Sequence, residues 1–168
     1  MAGLPRDPTA GFEQLLDYRR QLLRRLEQQP GEFAAAVAAI PAAEWGTPRD
    51  RLGRSLLAIA AHMRDVEVRV LLPRLRRLLV EDHPALTVEA SHDEASAGAP
   101  PDEAMTDILE GWSRARAELV QALRSLSPAG WSRTGFYPPV GSRTVQWWAE
   151  RALGHAREHQ RGLMYAGG

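Results

Sequence analysis

The chain has 168 residues, 44% hydrophobic and 25% charged, which suits one compact domain of a soluble globular protein. Its 21 basic and 21 acidic residues cancel, so no overall field attracts nucleic acid or an anionic membrane. Cysteine is absent, which excludes disulfides, thiolate metal ligands and a protein thiol nucleophile.

At the amino terminus Leu4, Pro5, Arg6, Asp7 and Pro8 interrupt any apolar run that a signal peptide needs. No later segment approaches the about eighteen apolar residues of a membrane span, so the cytoplasm is the expected location. Every basic residue is arginine, with neither lysine nor asparagine present, a bias of GC-rich bacterial genomes that carries no functional weight.

Asp7-Pro8 reads as an N-cap followed by proline in the first helical turn. Leu15, Leu16, Leu22, Leu23 and Leu26 then recur at helical spacing, and Pro30-Gly31 is expected to close this helix. A short alanine-rich helix is expected over 32–40, ended by Pro41. The second long helix is expected from Ser55 to about Val80, with Gly53 weakening an earlier start and Pro73 introducing a kink. Residues 81–101 are acidic and rich in Ala, Ser, Gly and Pro, which predicts a long mobile loop.

Asp102 or Thr106 opens a third helix carrying Ile108, Leu109, Trp112, Leu119, Leu123 and Leu126. Residues 128–141 read as a connection broken by Pro138, Pro139 and Gly141. Ser142 or Thr144 then caps a fourth helix that runs to about Tyr165. Four long helices without a predicted strand make an all-α, up-down four-helix bundle with long connections the economical solution. It forms one domain over 1–168, with tails at 1–8 and 166–168.

Three of the five histidines fall on core-facing stripes. On the second helix the inward series is Ile59, His62, Val66, Val70; on the fourth it is Val145, Trp148, Ala152, His155, His159, Leu163. His155 and His159 lie about 40° apart around the helix axis and about 6 Å along it, so both can reach one point. A third imidazole from a facing helix completes a three-ligand site with open positions, an arrangement more often catalytic than structural. Taken singly, each histidine reads better as a hydrogen-bonded core residue; three on two facing stripes favour one divalent ion. His83 and His92, at a helix end and in the acidic loop, read as solvated. His155-Ala-Arg-Glu-His159 also matches the His-x-x-Glu-His protease signature, but the nine residues after His159 hold no acidic third ligand.

Ser55 stands seven residues before His62, with Asp65 and Glu67 following; Trp131, then Gly141-Ser142-Arg143-Thr144, then His155-x-x-x-His159 complete an ordered series. In that order and spacing the chain resembles the DinB-like superfamily of metal-binding four-helix bundles. The resemblance implies a divalent ion, zinc or nickel, held by His62, His155 and His159. Asp65 and Glu67 match the motif as well: either one orients an imidazole from behind, or it pairs with a neighbouring arginine.

Relatives implied by the resemblance include mycothiol-dependent maleylpyruvate isomerase, bacillithiol S-transferases and metal-dependent hydrolases, as well as members without known activity. Three functions follow: transfer using a low-molecular-weight thiol as cosubstrate, hydrolysis by metal-activated water, and non-catalytic metal binding in a stress response. The expected partner is a small molecule, with no nucleic acid and no membrane. Ser55 is expected to cap its helix rather than act as a nucleophile. Adjacent Trp147 and Trp148 cannot share one helix face, which suggests core packing or a homodimer seam. Arg74, Arg76 and Arg77 read as a solvated face; Arg114 and Arg116 could reach an anionic substrate, but exposed helix arginines are usually just solvated.

Overall fold

A computed structural model describes residues 8–50, 52–86 and 102–165. Four long helical stretches dominate: α1 (Pro8–Ala38), α2 (Leu56–Val66) continuing through a π-helical turn (Glu67–Leu71) into α3 (Leu72–Val80), α4 (Met105–Arg124) and α5 (Val145–Tyr165). The expected four-helix bundle is therefore what folds. α1 packs against α4 and α5, and α4 against the α2–α3 stretch. No helix among the described residues is long and apolar enough to cross a membrane.

Two apolar clusters fill the bundle, one towards each end. Leu22, Leu26, Leu75, Leu78, Leu123, Trp131, Val145 and Trp148 belong to one; Phe33, Val37, Leu56, Ile59, Met63, Ile108, Trp112 and Ala156 belong to the other. Following each helix from one cluster to the other gives the chain direction. α1 runs towards the second cluster, α2–α3 and α4 both run away from it, and α5 returns. The connection between α3 and α4 thus joins opposite ends of the bundle.

The two internal prolines are accommodated in different ways. Pro30 does not close the first helix; it lies buried inside α1, and the separate helix expected over 32–40 is the continuation of α1. Proline cannot supply the N–H that the Leu26 carbonyl would accept one turn back. That carbonyl instead accepts from Arg116 Nη1, reaching in from α4 at 3.5 Å. Pro73 is absorbed by the π-helical turn before it, where the Leu72 N–H bonds the Glu67 carbonyl and the register widens.

The segment expected to be a strandless connection holds a β-hairpin. β1 (Thr134–Tyr137) pairs antiparallel with β2 (Gly141–Thr144), Phe136 opposite Ser142, across a turn of Pro138, Pro139 and Val140. Gly141 takes φ +76°, the left-handed region open to glycine. The start of the predicted acidic loop is built onto this hairpin. The Phe136 N–H donates to the Pro84 carbonyl at 2.9 Å and the Leu86 N–H to the Phe136 carbonyl at 2.7 Å, with Leu86 buried. Residues 87–101, the rest of that loop, lie outside the described residues. Arg133 ties the hairpin to α3 by donating to the carbonyls of Leu78 and Glu81, which the helix end leaves unpaired.

Candidate metal centre

His62 owes its position to a short, strongly apolar helix with a defined start. Ser55 is the N-cap of α2, its Oγ accepting from the Ala58 N–H at 3.2 Å. Leu56, Ile59 and Met63 bury the face on which His62 lies. Thr144 caps α5 in the same way, accepting from the Trp147 N–H at 3.1 Å. From that start, Val145, Trp148 and Ala152 commit one stripe to the core, and the stripe continues into His155 and His159.

The structure brings all three histidines to one point. His62 Nε2 lies 3.1 Å from His155 Nε2, which lies 3.2 Å from His159 Nε2. The three ligand nitrogens fall within 4.8 Å of one another. Nitrogens bound tetrahedrally at about 2.0–2.1 Å from one ion are roughly 3.3–3.4 Å apart, close to these spacings. His62 and His155 are 3% and 8% exposed, whereas His159 is half-buried and borders solvent. Burial first, then the facing His159 and His62 imidazoles, push the His155 pKa from 6.5 down to about 2. A buried imidazole that stays neutral keeps a lone pair ready for a cation. The donor set of three imidazoles fits a divalent transition-metal ion.

The two acids of the motif engage arginines. Asp65 accepts from Arg64 Nε at 2.9 Å, and Arg64 also reaches Glu103. Glu67 is buried and receives Arg116 in a bidentate pair, Nε to Oε1 at 2.6 Å and Nη2 to Oε2 at 2.9 Å. The π-helical turn changes the register of the inward stripe. Glu67 is buried while Val66 and Val70, expected inside, are only half-buried.

Arg116 is the residue that sequence reasoning missed. Expected at a solvated surface, it is 1% exposed and joins all four helical stretches. Besides Glu67 it donates to Gln29 Oε1 of α1 at 2.6 Å and towards the Ala152 carbonyl of α5 at 3.4 Å. Gln29 in turn donates to the Leu153 carbonyl at 3.1 Å. The signal was present: Arg116 follows Trp112 by four residues and precedes Leu119 by three, squarely on the apolar stripe of α4.

The remaining sequence candidates lie elsewhere. His83 is exposed, with φ +44°, and its ring nitrogens lie 2.9 Å from Thr134 Oγ1 and 3.3 Å from Ser142 Oγ, so it braces the hairpin. His92 lies outside the described residues. Trp148 is buried and Trp147 half-buried beside it. Arg74 stacks on Tyr137 and Trp148, Arg76 pairs with Glu118 and Arg77 with Glu81, whereas Arg114 remains exposed near Glu110.

With three converging imidazoles on two facing helices of a four-helix bundle, the fold and the site point the same way. The family model of the DinB superfamily matches residues 25–162. The chain belongs to the DinB superfamily. Among solved structures, YfiT from Bacillus subtilis shares the fold, with a TM-score of 0.76 and 17% sequence identity over 88% of this chain and 85% of that one. That protein is described as a probable metal-dependent hydrolase with an unusual four-helix bundle topology. No curated protein matches the chain.

Proposed function

We propose that this DinB-superfamily chain is a metal-dependent enzyme acting on a small molecule, with a low-molecular-weight thiol as cosubstrate. His62, His155 and His159 hold one divalent ion. The observation that carries the reading is the convergence of three imidazole nitrogens, one of them buried and held neutral, beside a half-exposed third. Bound there, the ion supplies Lewis-acid chemistry that favours the deprotonated form of a water or a thiol. His62 and His155 fix the site from the interior, and His159 marks the side from which a small molecule arrives. The chain has no cysteine, so a sulfur nucleophile comes from outside. Asp65 and Glu67 act at a remove, holding Arg64 and Arg116 against the helices that carry the histidines.

A second reading is hydrolysis, which needs no thiol; the description of YfiT favours it. The two separate in one experiment. Metal-loaded protein is given a model electrophile with and without mycothiol or bacillithiol. Turnover only with the thiol supports transfer, and turnover without it supports hydrolysis. The metal itself is tested by elemental analysis. Wild type and His83→Ala should hold about one divalent ion per chain, as an open three-histidine site does, and His155→Ala and His159→Ala should lose it. Equal metal content in wild type and His159→Ala overturns the site.

A further inference from the structure

The other end of the bundle holds a second arginine that is nearly as buried as Arg116, without its carboxylate. Arg19, on α1, is 7% exposed. Its Nε donates to Gln146 Oε1 at 3.0 Å and its Nη1 towards the Pro128 carbonyl at 3.4 Å, both neutral acceptors. Its guanidinium stacks over the Trp131 ring, 5.1 Å from the centroid. Among the described residues no carboxylate pairs with Arg19 and no hydrogen bond engages its Nη2. The nearest acid along the network is Glu150, which touches Gln146 and Tyr18 rather than the guanidinium. Partial burial lowers the Arg19 pKa from its ordinary value.

Arg19 lines a cavity of about 130 Å3 that opens to the surface between α1 and the end of α4. Leu23, Leu126 and Trp131 supply apolar wall, and Arg20 and Arg124 add two more guanidinium groups. None of the lining residues is acidic. Arg20 pairs with Asp17 and Arg124 with Glu27, but both pairs are solvent-exposed, hold weakly and can yield. The space equals roughly four waters at about 30 Å3 each, room for a short organic ion. His155 lies nine positions after Gln146 on α5, a rise of roughly 13–14 Å, so this cavity is distinct from the histidine centre.

We propose that this cavity is a binding site for a small monocarboxylate with an apolar body, its carboxylate on Arg19 Nη2 and its hydrocarbon against Leu23, Leu126 and Trp131. Arg19 is the guanidinium of this cavity that pairs with no carboxylate among the described residues, so one negative charge complements it, and the leucine and tryptophan walls favour a hydrocarbon body over a hydrated ion such as phosphate. An aromatic wall beside a single oriented charge is the usual construction of a small-molecule pocket.

The test titrates the full-length protein with hexanoate and benzoate, following the Trp131 indole and Arg19 Nε resonances by NMR. Hexanol and inorganic phosphate serve as controls. Saturable shifts at Trp131 and Arg19 with the carboxylates are expected, with neither control matching them. Arg19→Met should weaken binding about tenfold or more, about 1.4 kcal/mol, through the loss of one charge-assisted hydrogen bond. Leu23→Trp, which fills the cavity and leaves Arg19 in place, should block binding even if Arg19→Met fails to fold. The His159→Ala variant should bind the carboxylates as wild type does, which keeps this result separate from that of the metal site. No saturable shift at millimolar carboxylate, equal binding of hexanol or phosphate, or shifts confined to the histidines would each overturn the proposal.

Discussion

At the histidine end of the bundle Arg116 is sealed against Glu67 and Gln29, and every charged atom there meets a partner of matching chemistry. At the hairpin end Arg19 is nearly as buried but leans on an amide, a carbonyl and an indole ring. A buried cation with its anion is a structural tie, since removing either partner strands the other in a medium that solvates it poorly. Arg19 donates to neutral acceptors, so truncating it strands no charge. The same residue type thus does two jobs, and the difference lies in what faces it, not in its exposure. The comparison locates the bundle's internal clamp beside the histidines.

The largest expected effect breaks the clamp. Arg116→Met leaves the Glu67 carboxylate, the Gln29 amide and the Leu26 carbonyl without their donor. Truncating one side of a buried pair costs about 3–5 kcal/mol, so the urea midpoint should fall steeply. Glu67→Leu combined with Arg116→Met removes both charges and should recover much of that loss. Arg19→Met, by contrast, strands no carboxylate and should cost far less. If the two arginine variants are equally destabilised, the contrast between the ends fails.

Acid sharpens the comparison from the other side. His155 is neutral in the fold, its pKa pushed to about 2, while the unfolded chain titrates near 6.5. Below pH 6.5 the unfolded state therefore binds a proton that the folded state refuses. The His155 contribution to the stability of the metal-free protein is present above about pH 6.5 and is lost as pH falls below it towards the folded value, by up to about 1.4 kcal/mol per unit. Urea titrations of chelator-treated protein through this range should show the slope, and His155→Gln should flatten it. Arg19 keeps its charge throughout and adds nothing to the slope.

Most of the fold and the three histidines were legible because their signals are local. Helical periodicity revealed four helices, and Ser55 was readable as a cap from its place before Leu56. The misreadings came where a distant residue decides the outcome. Pro30 ends a helix by local rules, yet Arg116, 86 positions away, supplies the donor that its neighbourhood lacks. Glu67 is buried and Val70 only half-buried where a π-helical turn runs from Glu67 to Leu71, a change of register that a fixed 3.6-residue period cannot express. The hairpin escaped notice because its strands are four residues long and are held partly by Pro84 and Leu86, 52 and 50 positions before Phe136.

That hairpin gives a smaller effect confined to one end. A Cβ on Gly135 would meet Leu78 Cδ2 at 2.7 Å and the Pro84 carbonyl oxygen at 3.0 Å. The leucine can rotate, but the carbonyl is fixed by its bond to the Phe136 N–H. Gly135→Ala should therefore cost about 1–3 kcal/mol, as overpacking does. Metal content measured on the folded variant should stay at the wild-type level, because the two ends share no contact at this glycine. Loss of metal from a folded Gly135→Ala protein would show the ends to be coupled.

The smallest effect returns to the histidine end and decides between two roles for one hydroxyl. Ser55 is buried, and its Oγ accepts from the Ala58 N–H, one of the donors left open at the start of α2. Removing such a cap costs about 1 kcal/mol, with a range of roughly 0.5–2. Ser55 stands seven residues before His62 on the same helical stretch, about 10 Å of rise, too far for its oxygen to share a reacting atom with the imidazoles. Ser55→Ala should lower the unfolding midpoint slightly, and the folded fraction should retain its metal and any turnover found for wild type. Thr144→Ala at the start of α5, whose Oγ1 accepts from the Trp147 N–H, is the matched control at the other end. Similar small losses from both variants identify two ordinary caps. Collapse of turnover in Ser55→Ala alone, with metal and fold intact, would make the serine part of the chemistry and move the reacting centre away from the three histidines.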